Sequence, residues 1–156
     1  MKFDLRFFTL SVGAAAVIIC GFMATQPVVD PADRTRPVID PALEMPAPVA
    51  HFVMRSCVDC HTNHTRWPWY ASFPPMSKLI MHDVQHGREA MNFSEWSRQV
   101  KSKSQERGLL QAACVVVQAG GMPLPKYLAL HPDARPTPGD VKLFCDWVNK
   151  ERLAKP

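Results

Sequence analysis

The run Ser56-Cys57-Val58-Asp59-Cys60-His61 sets two cysteines three positions apart, with a histidine directly after the second. C-x-x-C-H is the spacing that c-type haem attachment requires: each thiol adds to one haem vinyl group, and the adjoining imidazole is aimed at the iron. Two other chemistries use similar residues. A thioredoxin-like redox pair needs a βαβ setting, whereas the segments flanking this motif read as helical and proline-rich. A zinc site built on Cys57, Cys60 and His64 needs a second well-spaced ligand pair, and the sequence offers none. The motif occurs once, so the expectation is one haem c, covalent through Cys57 and Cys60 and ligated by His61.

The chain has 156 residues, enough for one small domain plus extensions. Its composition is globular, with 47% hydrophobic and 21% charged residues. A domain of about 100 residues buries only a modest core, and a covalent haem would supply a large part of it. The net charge of +4 comes without a basic block, so nothing points to nucleic acid.

Lys2 and Arg6 flank an uncharged apolar run from Phe7 to Ala24. That run borders on the ~18–20 residues that span a bilayer and exceeds a usual signal core of about 7–15. Phe22 falls where a cleavage site wants a small residue, and the bulky Ile19 before Cys20 argues against a lipoprotein site. Residues 1–24 are therefore read as a membrane anchor or signal segment, preferably an uncleaved single-pass anchor. The basic end would stay in the cytoplasm and the rest of the chain would be exported to the periplasmic side. Export suits haem c, which bacteria attach outside the cytoplasmic membrane. Residues 25–46, rich in proline and aspartate, read as an extended linker, of which Arg36 to Pro41 can pack along the domain. Residues 47–156 form the domain.

Within it the apolar spacing is helical throughout. Pro48 suits a first helical turn, and Val49, Phe52 and Val53 form one face leading into Cys57. Asn63 to Pro75 is a loop, since Pro68, Pro74 and Pro75 forbid a helix interior. A helix from about Met76 to Met91 is expected to bury Leu79, Ile80 and Val84. Ser94 caps a short helix through Trp96 and Val100. Gln105 to Ala119 carries Leu109, Leu110, Ala113, Val116 and Val117, and Gly120-Gly121 stops it. Thr137-Pro138-Gly139-Asp140 starts a last helix with Val141, Phe144, Cys145 and Val148 as its buried stripe. No strand is convincing, so the fold class is all-α.

The motifs Ser56-Cys57-x-x-Cys60-His61, Asn63-x-Thr65-x-Trp67-Pro68-Trp69-Tyr70, Gly87-Arg88, Asn92-Phe93-Ser94-x-Trp96, Met122-Pro123-Leu124-Pro125-x-Tyr127 and His131-Pro132 occur in this order. Together they resemble the haem-binding-domain group of monohaem c-type cytochromes over roughly residues 40 to 152. The resemblance implies a small cytochrome-c-like helical domain with His61 and Met122 on the iron. His64 departs from the pattern, which often carries a second asparagine there; that touches only local loop hydrogen bonding.

Met122 lies 61 residues after His61 in a Gly-Gly-Met-Pro loop. Glycines let backbone approach a haem closely, and Pro123 stiffens the loop; the bland alternative is a methionine filling a core gap. His82 and His86, four apart, would give bis-His ligation if they shared a face toward the iron, but read better as solvated. Met76, Met81, Met91 and His131 are weaker candidates. Trp67, Trp69 and Tyr70 either wall the haem or pack a core. Arg88 and Arg66 either neutralise propionates or sit in solvent. A carbonyl near Pro74 or Pro75 is expected to hold the other ring nitrogen of His61. Cys114 and Cys145 can form a disulfide in an exported domain, with two small buried thiols the slightly preferred reading.

Methionine–histidine ligation fills both axial positions and raises the reduction potential relative to bis-His. The expected role is a membrane-tethered, exported carrier of single electrons rather than an enzyme. Its partners would be redox proteins or a larger membrane electron-transfer complex. The alternative is a haem enzyme or sensor, a peroxidase or gas-binding protein, with an open or labile sixth position; a distal acid/base pair would favour it, and none is evident. A structural haem subunit that never turns over is a third reading.

Overall fold

The computed structural model describes residues 30–154, apart from the side chains of 151–154, together with a few helical positions between 13 and 21. Among the described residues every regular element is helical. The α-helices are α1 (Ala47–Ser56), α2 (Val58–His61), α3 (Met76–Ala90), α4 (Trp96–Gln99), α5 (Lys103–Gln118), α6 (Pro125–Leu128) and α7 (Pro138–Ala154). Short 3-10 turns at Pro41–Leu43, Trp69–Ser72, Phe93–Glu95 and Pro132–Ala134 punctuate them. The segment expected as an anchor, 1–24, lies largely outside the described residues, and among these no helix is long and apolar enough to cross a membrane. The chain divides into a larger unit, Ala32–Arg66 with Val84–Pro156, and a smaller one that includes Trp67–Asp83.

The core of the larger unit is made from one stripe each of α1, α5 and α7. Val49, Phe52 and Val53 of α1 meet Leu110, Cys114 and Val117 of α5, and Phe144, Cys145, Trp147 and Val148 of α7. Leu43, Phe93 and Trp96 complete the cluster. The stripe on α5 runs i, i+4, i+7, so Val116, a residue short of Val117, turns outward and is 40% exposed instead of buried as expected. On α3 the buried positions are Val84 and Gly87; Ile80 shares their side and is half-buried, whereas Leu79 falls on the opposite side and is exposed.

Local chemistry bounds α5 and starts α7 close to where the spacing places them. Ser102 caps α5 by accepting the Gln105 amide at 3.1 Å. At the other end Gly120, with φ +71°, allows a Schellman closure: its N–H donates to Val117 O at 3.1 Å and the Gly121 N–H to Val116 O at 2.9 Å. At the start of α7 the Thr137 hydroxyl accepts the Asp140 amide at 3.1 Å, and the Asp140 carboxylate accepts the Thr137 amide at 2.8 Å. That is a reciprocal capping box with aspartate in the acidic place.

Two findings refine the sequence expectation. Packing begins before residue 47, within the Arg36 to Pro41 stretch expected to be able to pack along the domain. The Asp40 amide donates to Phe93 O at 2.7 Å, and the Asp40 carboxylate accepts from the Ser97 amide and hydroxyl at 3.0 and 2.6 Å. Leu43 then enters the core, so the second half of the expected linker belongs to the larger unit. Cys114 and Cys145 form a disulfide between α5 and α7, with Cα atoms 5.3 Å apart, rather than the two thiols slightly preferred from the sequence. Helical spacing puts each cysteine on its own buried stripe, but only the packing of the two stripes brings the sulfurs together.

The disulfide closes a sequence separation of 31 residues, and the Cys114→Ser/Cys145→Ser variant is expected to lose about 2–4 kcal/mol of unfolding free energy in urea titrations. Burial opposes ionisation of Asp140, but the Thr137 amide and hydroxyl and the Arg55 guanidinium outweigh it and hold its pKa below the usual 3.8. A depressed carboxylate contributes stability above its unfolded pKa and loses it as pH falls through the folded value. The urea midpoint of the wild type is therefore expected to fall more between pH 7 and pH 3 than that of Asp140→Asn.

Candidate haem site

α1 runs without a break into the C-x-x-C-H turn: the Cys57 amide still donates to Val53 O at 2.9 Å. The Cys57 carbonyl then accepts the amides of Cys60 and His61 at 3.3 and 3.0 Å, starting α2. This single turn sets the two cysteines on one helical face with His61 beside them. Cys57 and Cys60 are thiols and are not joined to each other. Burial, then the neighbouring Cys60, pushes the Cys57 thiol up to about 12 against the pull of Arg55. A redox-active C-x-x-C pair has a depressed thiol pKa and a βαβ frame; Cys57 is shifted the other way, and the turn lies between helices.

His61 is held through its Nδ1, which lies 2.9 Å from the Met91 carbonyl oxygen. Helix-terminal carbonyls lack intrahelical partners, so the chain leaving α3 offers this acceptor. The expected acceptor near Pro74 or Pro75 is not the one used. Burial lowers the pKa of His61 against the opposing hydrogen bonds to the Met91 and Gly87 carbonyls. The ring is thus held neutral with its proton on Nδ1, which leaves the Nε2 lone pair for a metal. Phe93 meets the imidazole edge-on, with ring centroids 6.3 Å apart.

The approach of α3 to this turn is backbone against backbone. A Cβ at Gly87 would stand 2.6 Å from the Cys60 carbonyl oxygen. Arg88 follows, donating from Nε to Thr62 O at 2.8 Å and from its terminal nitrogen to Thr65 Oγ1 at 2.8 Å. It thereby clamps the strand leaving His61, whatever else its guanidinium does. Thr62 closes back on Val58 O at 2.7 Å. Asn63 takes the Asn92 side-chain amide on its own oxygen at 2.8 Å, and its backbone N–H donates to Ser94 Oγ at 3.1 Å. These buried contacts give the N-x-T and N-F-S stretches their physical content: they fix the chain on both sides of the His61 acceptor.

Met122 leaves the Schellman turn of α5 two residues after Gly120, half-buried against the core cluster, with Pro123 buried behind it. The segment that follows is tied to the C-x-x-C-H turn, since the Tyr127 hydroxyl donates to the Asp59 carboxylate at 2.8 Å. Asp59 also receives Arg66 Nε and a terminal nitrogen at 2.9 and 3.1 Å. Cys57, Cys60, His61, Met122 and Arg88 thus belong to one unit. Trp67, Trp69 and Tyr70 belong to the smaller one. There the Trp67 indole donates to Asp30 at 3.2 Å, Trp69 is 79% exposed, and Tyr70 packs edge-on against Trp69 at 5.8 Å. His82 and His86 are both exposed. His64 turns its Nε2 to the Arg36 carbonyl at 2.7 Å, and among the described residues no three His, Cys, Asp or Glu side chains gather as a metal site of their own.

The residues fit a haem: two thiols on one turn and a neutral imidazole with only its distal nitrogen to spare. The buried Ser56 hydroxyl, directly before Cys57, and the Trp96 indole N–H have no hydrogen-bond partner among the described residues. Such groups cost about 1–3 kcal/mol each when left unmet, which a bound polar group or water would relieve. Sequence reasoning missed the work of Met91, Gly87, Asp59 and Tyr127. Gly87 and Tyr127 stood inside the quoted motifs, but the carbonyl of Met91 carries no side-chain signal.

At a solvated helix position Gly→Ala adds about 1 kcal/mol of helix stability. Gly87→Ala is instead expected to cost about 1–3 kcal/mol, because α3 must move off the C-x-x-C-H turn. Urea titration gives the loss, and absorbance per protein gives the accompanying fall in haem content.

Comparison with curated proteins and with solved structures gave no match. The model of the haem-binding domain family matches residues 15–150, and the chain belongs to that family.

Proposed function

We propose that this protein is an exported, membrane-tethered monohaem c-type cytochrome that passes single electrons between redox proteins, or within a larger membrane complex. Its haem c is bonded through Cys57 and Cys60, with His61 and Met122 as axial ligands in a cytochrome-c-like domain. The observation that carries this reading is the His61–Met91 hydrogen bond beside two unjoined thiols. It fixes a neutral imidazole by one nitrogen and leaves the other for iron. A haem bound there supplies a one-electron iron couple.

The chain's own part is to hold and exclude. Cys57 and Cys60 would hold the haem through thioether bonds to its former vinyl groups, so that the cofactor would not dissociate. Met91 and Gly87 orient the imidazole, and the Met91 carbonyl raises its basicity toward the metal. The chain leaving the Schellman turn carries Met122, and its thioether in the sixth position would leave no place for substrate or gas. Ligands held in place by the fold, His61 and Met122, would keep the reorganisation on reduction small. The uncharged run Phe7–Ala24 supports tethering, and the Cys114–Cys145 disulfide fits an oxidising compartment.

Optical spectra of the membrane-purified protein test this. The expected result is a sharp c-type reduced spectrum, haem that stays with the polypeptide under denaturing extraction, and an oxidised methionine–iron band lost in Met122→Ala. Carbon monoxide should leave the reduced wild type unchanged and bind Met122→Ala. A high-spin wild type that binds carbon monoxide readily would replace the carrier with an open-site enzyme or sensor.

A further inference from the structure

Asp59 occupies the position between the two thiols, and its polar contacts join both sides of the site. Its carboxylate accepts the Tyr127 hydroxyl at 2.8 Å, Arg66 Nε at 2.9 Å, an Arg66 terminal nitrogen at 3.1 Å and the Arg66 amide at 3.2 Å. Its carbonyl accepts Thr65 Oγ1 at 2.7 Å, and Thr65 Oγ1 in turn accepts Arg88. Tyr127 lies five residues after Met122 on α6 and is itself immobilised. Its ring stacks on His131 with centroids 4.1 Å apart, and its carbonyl accepts the His131 amide at 3.0 Å. Burial, then the hydrogen bond to Asp59, raises the Tyr127 pKa, so the phenol stays neutral and donating. Met122 enters its loop from the glycine turn of α5, and Tyr127 pins the loop's far side to the turn that carries His61.

We infer that Tyr127 and Asp59 are positioning residues. Their hydrogen bond clamps the Met122 loop onto the C-x-x-C-H turn and thereby sets how firmly the thioether holds the sixth position. The inference rests on the Met122 ligation proposed above. It assigns Asp59 and Tyr127 no contact with the haem; they act through the loop and the turn. Arg66 supports the pair by holding the carboxylate in place from the other side. A phenol–carboxylate hydrogen bond belongs to the stronger, charge-assisted class, so its loss should appear at the iron as an easier exchange of methionine for an outside ligand.

The test uses the full-length, haem-loaded protein in membrane or detergent, comparing wild type with Tyr127→Phe, Asp59→Ala, Asp59→Asn, Asp140→Ala and Met122→Ala. The readouts are the oxidised methionine–iron band against temperature and carbon monoxide affinity of the reduced protein. Tyr127→Phe and Asp59→Ala are each expected to weaken the band and to raise carbon monoxide affinity about tenfold. The Tyr127→Phe/Asp59→Ala double variant should be no worse than Asp59→Ala alone, since the bond that Tyr127→Phe removes is already gone in Asp59→Ala, which also loses the Arg66 contacts. Asp59→Asn keeps an oxygen for the phenol and should fall between. Asp140→Ala loses a cap and the 2.6 Å ion pair with Arg55, bonds that involve neither Asp59 nor Tyr127, and should lower the melting temperature without touching either readout. A wild-type-like Tyr127→Phe, effects of the two sites that multiply, or an Asp140→Ala that moves the band equally would each overturn the clamp. A wild type whose spectrum is identical to that of Met122→Ala would overturn the ligation itself, and the clamp with it.

Discussion

Everything at the candidate site depends on how α3 ends against the C-x-x-C-H turn. The Met91 carbonyl holds His61 Nδ1 at 2.9 Å, and that contact exists only because Gly87 lets α3 reach the Cys60 backbone. A histidine that follows a haem-attachment pair still has a freely turning ring. It becomes a directional ligand when one nitrogen is bonded to a fixed acceptor and burial keeps the ring neutral. The protein obtains both from one helix terminus, whose carbonyls have no partner of their own. The buried bonds among Asn63, Asn92 and Ser94 secure the same junction from the far side.

The Met122 segment is tied to the C-x-x-C-H turn by a different device. α5 ends in a glycine-dependent closure, and the chain that emerges carries Met122 and then Tyr127. The closure is local, but its consequence is not: the Tyr127 hydroxyl reaches Asp59, and two segments more than sixty residues apart become one frame. The core behind them is ordinary helix packing, with Phe52 of α1 against Phe144 of α7 and the disulfide joining α5 to α7. A small helical domain has few apolar residues to spare, so a covalent link between its two longest helices is a natural supplement.

The helices were legible because each depends on local spacing and on end residues. Ser102, Gly120 and the Thr137–Asp140 box act within a few positions of themselves, and the apolar stripes of α1 and α7 follow the 3.6-residue period. The misreadings have a shared cause. Leu79 and Val116 are apolar residues a short step from a buried stripe, and hydrophobicity alone could not say which side of the helix meets the core. The prolines of the linker predict extended chain that can pack along the domain from Arg36 to Pro41; which groups receive Asp40 depends on Phe93 and Ser97, more than fifty positions away.

By itself the sequence determined that this is an all-helical protein with one C-x-x-C-H turn, because helical period, caps and a five-residue motif are short-range facts. It also offered Met122, in its glycine loop, as the second ligand proposed above. Only the tertiary structure decided what orients the imidazole, which cysteines pair, and which polar groups tie the Met122 segment to the thiols. Those depend on backbone carbonyls, on a missing Cβ and on distances between remote stripes. None of these has a side-chain signature, so they come into being only when the helices pack.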